Sequence, residues 1–106
     1  MKGNVFYGST LAGLIEQTDT GFRFTYDLKY LNSKGKPISA TMPVSTVQYD
    51  SNTLFAFFDG LIPEGWLLDI ATEHWKINPS DRMRLLLTVC EDCIGAVSVI
   101  NQQKDE

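Results

Sequence analysis

The chain is 106 residues long, the size of one domain, and its 43% apolar, 21% charged and 11% aromatic residues exclude a disordered polymer. The net charge is −4, and the Lys and Arg residues are scattered, with no run denser than Lys34-Gly35-Lys36. That pattern speaks against binding a phosphate backbone and suits a partner with a basic surface.

The chain begins Met1-Lys2-Gly3-Asn4 and runs straight into a strand pattern rather than an apolar leader, and no apolar run nears the length of a membrane span. The expectation is a cytoplasmic protein with no membrane association. Val5, Phe6 and Tyr7 form a short strand stopped by Gly8-Ser9-Thr10. A second strand covers 11–17, with Gly13 marking a bulge or a close approach of backbone. After the turn at Thr18-Asp19-Thr20-Gly21, the alternation of Phe22, Phe24 and Tyr26 with Arg23 and Thr25 predicts a strand with one buried face. These three strands read as an antiparallel meander.

Residues 27–31 allow one helical turn, and 32–37 form a loop. A fourth strand is predicted over 38–42, stopped by Pro43, with 44–52 irregular. The second half changes period. Leu54, Phe57, Phe58 and Leu61 fall at i, i+3, i+4 and i+7 on one helix face, limited by Gly60 and Pro63. A second helix runs from Glu64 or Gly65 to Trp75. A third opens with Asn78 as N-cap and Pro79 at its first position, has Asp81 in its first turn, and buries Met83, Leu86, Leu87 and Cys90. Residues 94–100 return to strand. The fold class is α+β in a single domain spanning 1–106: a small, curled antiparallel sheet of about five strands packed with about two to three helices in the second half.

On a wheel at about 100° per residue, Leu67, Leu68, Ala71 and Trp75 share one arc, the natural core face. Trp66 falls on the opposite arc among Asp69, Thr72 and Glu73, with Ile70 at the border. A Trp on a solvent face beside acidic residues is suited to filling a partner's pocket. The alternative is that Trp66 lies in a distorted first turn and folds back onto Phe58 or Pro63.

Little points to catalysis. There is one His, His74, and no nucleophile elbow, Gly-rich phosphate loop or metal-ligand spacing. The Cys90-x-x-Cys93 pair lacks the two further ligands that a structural zinc needs, and it lies near a helix end rather than at a redox-active helix start. Carboxylate pairs such as Asp69/Glu73 and Glu91/Asp92 are explained by a solvated surface. The expectation is no enzyme activity, no cofactor and no metal.

Three blocks carry a resemblance. Residues 5–31, VFYGSTLAGLIEQTDTGFRFTYDLKYL, residues 57–66, FFDGLIPEGW, and residues 91–99, EDCIGAVSV, occur in the order and with the key positions of the N-terminal domain of HipA-type toxin kinases. The middle block resembles that family's most specific signature. The kinase's Gly-rich loop, catalytic Asp and metal-binding residues have no counterpart here, so the resemblance implies a domain that cannot phosphorylate anything by itself. A free-standing copy is similar to the small HipS antitoxin subunits of tripartite HipBST toxin–antitoxin systems. What this implies is an antitoxin that neutralises a HipT-like kinase toxin in trans, with a HipB-like DNA-binding protein as a further partner in a ternary complex. The implied contact residue is Trp66, reaching toward the kinase's Gly-rich loop and ATP site. By our own reading, Glu64, Asp69, Ile70 and Glu73 flank it, while Pro63 and Gly65 build the turn and Phe57, Phe58 and Leu61 are core. The alternatives are a separated N-terminal structural domain of a HipA-type kinase, without an inhibitory role of its own, and a CxxC redox protein.

Overall fold

The computed structural model describes residues 1–62, 81–89 and 96–102. Five strands form one antiparallel sheet: β1 (Lys2–Tyr7), β2 (Thr10–Gln17), β3 (Phe22–Tyr26), β4 (Gln48–Ser51) and β5 (Val97–Asn101), in the order β4-β3-β2-β1-β5. The final strand lies beside the first, with Val99 opposite Val5. Three helices are described: α1 (Leu28–Asn32), α2 (Ala56–Asp59) and α3 (Arg82–Val89).

The β1–β2 connection has two residues, and Gly8 takes φ 63° at its first position. A glycine there meets no Cβ penalty and matches the twist of the hairpin. Further along this pair the register slips: Val5 faces Gly13 but Phe6 faces Leu11, which leaves Ala12 as the extra residue. The sequence placed a bulge or a close approach at Gly13, and the molecule uses both, on neighbouring residues. The Ala12 carbonyl, outside the ladder, accepts from the Asp27 N–H at 2.7 Å. Gly13 lets β3 come close, because a Cβ there would stand 2.4 Å from the Thr25 carbonyl oxygen.

In β3 the predicted alternation holds, with Phe24 and Tyr26 buried and Arg23 and Thr25 facing out. Asp27 then caps α1, its carboxylate accepting from the Tyr30 N–H at 3.3 Å.

The fourth strand is not at 38–42 but at Gln48–Ser51, inside the stretch read as irregular. The cause is tyrosine hydrogen bonding. The Ile38 N–H donates to the Tyr26 hydroxyl at 3.1 Å, and that hydroxyl donates to the Met42 carbonyl. The backbone groups that a strand would offer to a ladder are thereby taken by a side chain. Tyr30 donates to the Lys36 carbonyl and Tyr49 to the Pro43 carbonyl, so three tyrosines hold the whole connection against the sheet. Ile38 and Met42 are buried as loop residues.

The core lies between the sheet's inner face and the helices. Phe24 sits at its centre, 4.8 Å from the Tyr26 ring in an edge-on arrangement and 5.6 Å from the Phe58 ring. From α3 come Met83, Leu85, Leu86 and Leu87, all buried. Leu85 was not in the predicted stripe, and Cys90 lies outside the described residues. The helix starts at Arg82, later than predicted. Asp81 is its cap rather than part of its first turn: the carboxylate accepts from the Arg84 N–H at 3.2 Å, and the carbonyl accepts from the Leu85 N–H at 3.1 Å. No helix among the described residues is long and apolar enough to cross a membrane.

Candidate functional site

Of the middle block of the sequence, 57–66, the structure describes residues 57–62. Leu54 and Phe55 lead into α2, and Gly60 ends it. The helical hydrogen bonds continue as a tight turn, with the Leu61 N–H donating to the Phe58 carbonyl at 3.0 Å and the Ile62 N–H to the Asp59 carbonyl at 3.2 Å. This winding buries Leu54, Phe58 and Ile62, at i, i+4 and i+8. Phe57 and Leu61 are half-buried at the rim of the same cluster. Ile62, which the helical spacing had passed over, is 2% exposed and is the last described residue before the segment 63–80.

Of the residues read as the site, Glu64, Trp66, Asp69, Ile70 and Glu73 lie outside the described residues, as do Pro63, Gly65, His74, Trp75, Cys90 and Cys93. What the structure defines is the base from which that segment departs and to which it returns. The departing end is Ile62, rooted through Phe58 in the aromatic core. The returning end is Asp81, capping α3 directly before the buried Met83.

An ion pair joins the two ends. Arg82 Nε donates to Asp59 Oδ1 at 2.6 Å, with the side chains 33% and 44% exposed. Neither residue was singled out in the sequence. The two charges lie 23 residues apart, so no local spacing in the sequence pairs them. Beside the pair, Phe22, Leu54, Asp81 and Met83 help line a shallow groove of about 470 Å³.

The groups with perturbed titration lie elsewhere. Burial holds the Tyr26 and Tyr30 hydroxyls above the ordinary tyrosine range, opposed at Tyr26 by the hydrogen bond from Ile38. On the outer face of the sheet, the Arg23–Asp50 hydrogen bond at 2.8 Å raises the arginine and lowers the carboxyl. Among the described residues, no group of three or more His, Cys, Asp or Glu could hold a metal ion.

Residues 3–100 match the model of the family described as HipA N-terminal domain. An uncharacterized protein of Haemophilus influenzae is 35% identical over 103 residues, which cover 97% of this chain and 94% of that protein. The solved N-terminal domain of HipA toxin is 34% identical with a TM-score of 0.76, covering 97% of this chain and 93% of that one. A Shewanella oneidensis structure described as the toxin–antitoxin system HipA, HipB and operator DNA complex has the same fold, with a TM-score of 0.75 at 22% identity; the match covers 95% of this chain but 24% of that chain.

Proposed function

The chain belongs to the HipA N-terminal domain family, and from that premise we propose that it is an antitoxin that binds and neutralises a HipT/HipA-like serine/threonine kinase toxin in trans. The observation that carries this reading is the match to the N-terminal domain of HipA toxin along 97% of the chain. In the longer Shewanella HipA–HipB–DNA assembly, a domain of this fold is about a quarter of the matched chain. A domain that is joined covalently to a larger body in one relative can be supplied as a separate subunit in another. A HipB-like DNA-binding protein is the expected third component.

The contact is made by Trp66, with Glu64, Asp69, Ile70 and Glu73 around it. A bulky indole beside the kinase's Gly-rich loop would hold that loop away from its catalytic geometry. Phosphoryl transfer depends almost wholly on positioning and charge stabilisation, so a small displacement is enough to inhibit it. The acidic flank and the net charge of −4 favour approach to the basic groups that handle phosphate.

The test is co-purification of the tagged chain with a HipA-like kinase from the native cell, followed by a kinase assay with and without the chain. Wild type is expected to bring down the kinase and suppress its activity. If wild type recovers no such kinase, the proposal fails. If the two bind but phosphorylation continues unchanged, the chain is a partner and not an antitoxin.

A further inference from the structure

We propose that a groove on the outer face of the sheet, lined by Leu11, Leu14 and Leu28 with Asp27 beside them, is a docking surface for the kinase, and that it receives an apolar segment carrying a Lys or Arg. The inference rests on the antitoxin reading for the identity of the partner, and it concerns a surface made wholly of described residues.

An antiparallel sheet that is covered on one face is normally polar on the other. Here the outer face is divided. Along one row of cross-strand neighbours, Lys2 stands opposite Glu16, Glu16 opposite Arg23 and Arg23 opposite Asp50, so the charges alternate in sign and offset one another. The other half is apolar. Leu14 and Ile100 flank Asn4 from the two neighbouring strands, and Phe6 faces Leu11. Phe6, Leu14 and Ile100 are half-buried without belonging to the core cluster. Leu11 is 38% and Leu28 66% exposed, and with Leu14 they help line one groove of about 420 Å³. Large apolar side chains gathered on a surface do nothing for the fold and mark a place where something else packs.

The polar groups of the groove set the chemistry of its occupant. Asn4 and Gln102 satisfy each other, Gln102 Nε2 donating to Asn4 Oδ1 at 3.2 Å. Asp27 is the one charged residue of the lining. Its Oδ2 accepts from the Tyr30 N–H at 3.3 Å, and among the described residues no Lys or Arg forms an ion pair with it. A carboxylate without a cation, set beside three leucines, is complementary to a segment that is apolar and positively charged at one point. An acidic segment would be repelled, and a purely apolar one would bury the carboxylate unpaired.

The test uses the full chain and the HipA-like kinase, with the variants Leu28→Ser, Asp27→Asn and, on the charged half of the same face, Asp50→Asn. Asn caps a helix about as well as Asp, and Leu28 is mostly exposed, so all three should melt close to wild type. Affinity for the kinase should fall about tenfold in Leu28→Ser and in Asp27→Asn and stay unchanged in Asp50→Asn. Added salt should weaken wild type more than Asp27→Asn, whose groove holds no charge to screen. A photo-crosslinking residue placed at position 28 should capture a kinase segment with a Lys or Arg among apolar residues.

Wild-type affinity in both Leu28→Ser and Asp27→Asn overturns the groove and leaves the antitoxin reading standing. A loss in Leu28→Ser alone, with Asp27→Asn unaffected, overturns the assigned chemistry of the occupant. Self-association of wild type that Leu28→Ser abolishes, with kinase affinity unchanged, gives the groove to a second copy of the chain and overturns the proposal. A wild-type chain that binds no kinase removes the antitoxin reading itself, and the kinase as occupant goes with it.

Discussion

The Ile38 N–H donates to the Tyr26 hydroxyl at 3.1 Å, and this oxygen is one of the tyrosine contacts that fix the loop after α1 to the sheet. The same hydroxyl donates to the Met42 carbonyl, and Tyr26 is 1% exposed. Tyr26→Phe keeps the ring but leaves both backbone groups without this partner in a buried place. Losing such a partner costs about 1–3 kcal/mol. Chemical denaturation should register a loss of that size with an unchanged m-value. A variant as stable as wild type would mean that the loop does not depend on this hydroxyl.

Alkaline pH should act on the same contacts. Burial raises the folded-state pKa of Tyr26 and Tyr30, so each proton is held more tightly in the folded chain than in the unfolded one. Below the unfolded tyrosine value of about 10, both states are protonated and the contribution is fully present. As pH rises beyond that, the unfolded chain ionises first, and stability falls until the folded pKa is passed. Unfolding free energy followed from neutral pH to about pH 11 should bend downward at the upper end, and less so in Tyr26→Phe. An equally steep fall in the variant would assign the effect to other groups.

What the sequence made legible follows from how local each signal is. The alternation in 22–26 and the turn at Gly8 are properties of a few neighbouring residues, and the structure repeats them. The displaced fourth strand shows the opposite case. Ile38 and Met42 are apolar and buried, but whether their backbone groups enter a ladder depends on Tyr26, twelve residues or more away. Gln48–Ser51 carries little apolar signal, since Tyr49 alone faces the core, and it becomes a strand by pairing with β3 and by the Arg23–Asp50 contact. Around the candidate site, the spacing of Leu54 and Phe58 was readable, and Ile62 was missed because a tight turn continues the winding of α2 past Gly60. The Asp59–Arg82 pair joins charges 23 residues apart, which no local pattern displays.

Two glycines should respond differently to substitution. A Cβ at Gly13 would meet the Thr25 carbonyl oxygen at 2.4 Å and Phe24 Cζ at 2.7 Å, and the first is backbone that cannot yield without opening the β2–β3 pair. Gly13→Ala should cost about 1–3 kcal/mol or more, as other overpacking changes do. At Gly8 there is open space but φ is 63°, so Gly8→Asn should be tolerated better than Gly8→Val, because Asn enters the left-handed region more readily than β-branched residues. Thermal melts of the three variants give the order directly. Equal losses for Gly8→Asn and Gly8→Val would show that the turn does not need positive φ.

Phe58 and Trp66 occupy one motif and should separate under mutation. Phe58 is fully buried and packs against Phe24 at a tilt and edge-on to Phe55 and Phe57, so Phe58→Ala opens a cavity at the centre of the core. Such a change costs about 3–5 kcal/mol, a large part of the about 5–15 kcal/mol that holds a domain together. Its binding to a kinase should be lost because the fold is lost, with melting far below wild type. Trp66→Ala, on the proposed reading, should leave melting within about 1 kcal/mol of wild type, as surface substitutions do, while kinase binding or inhibition disappears. Measuring melting and kinase binding on both variants distinguishes contact from core. A large stability loss in Trp66→Ala, comparable with Phe58→Ala, would place the indole in the core and move the contact surface to other residues of the segment.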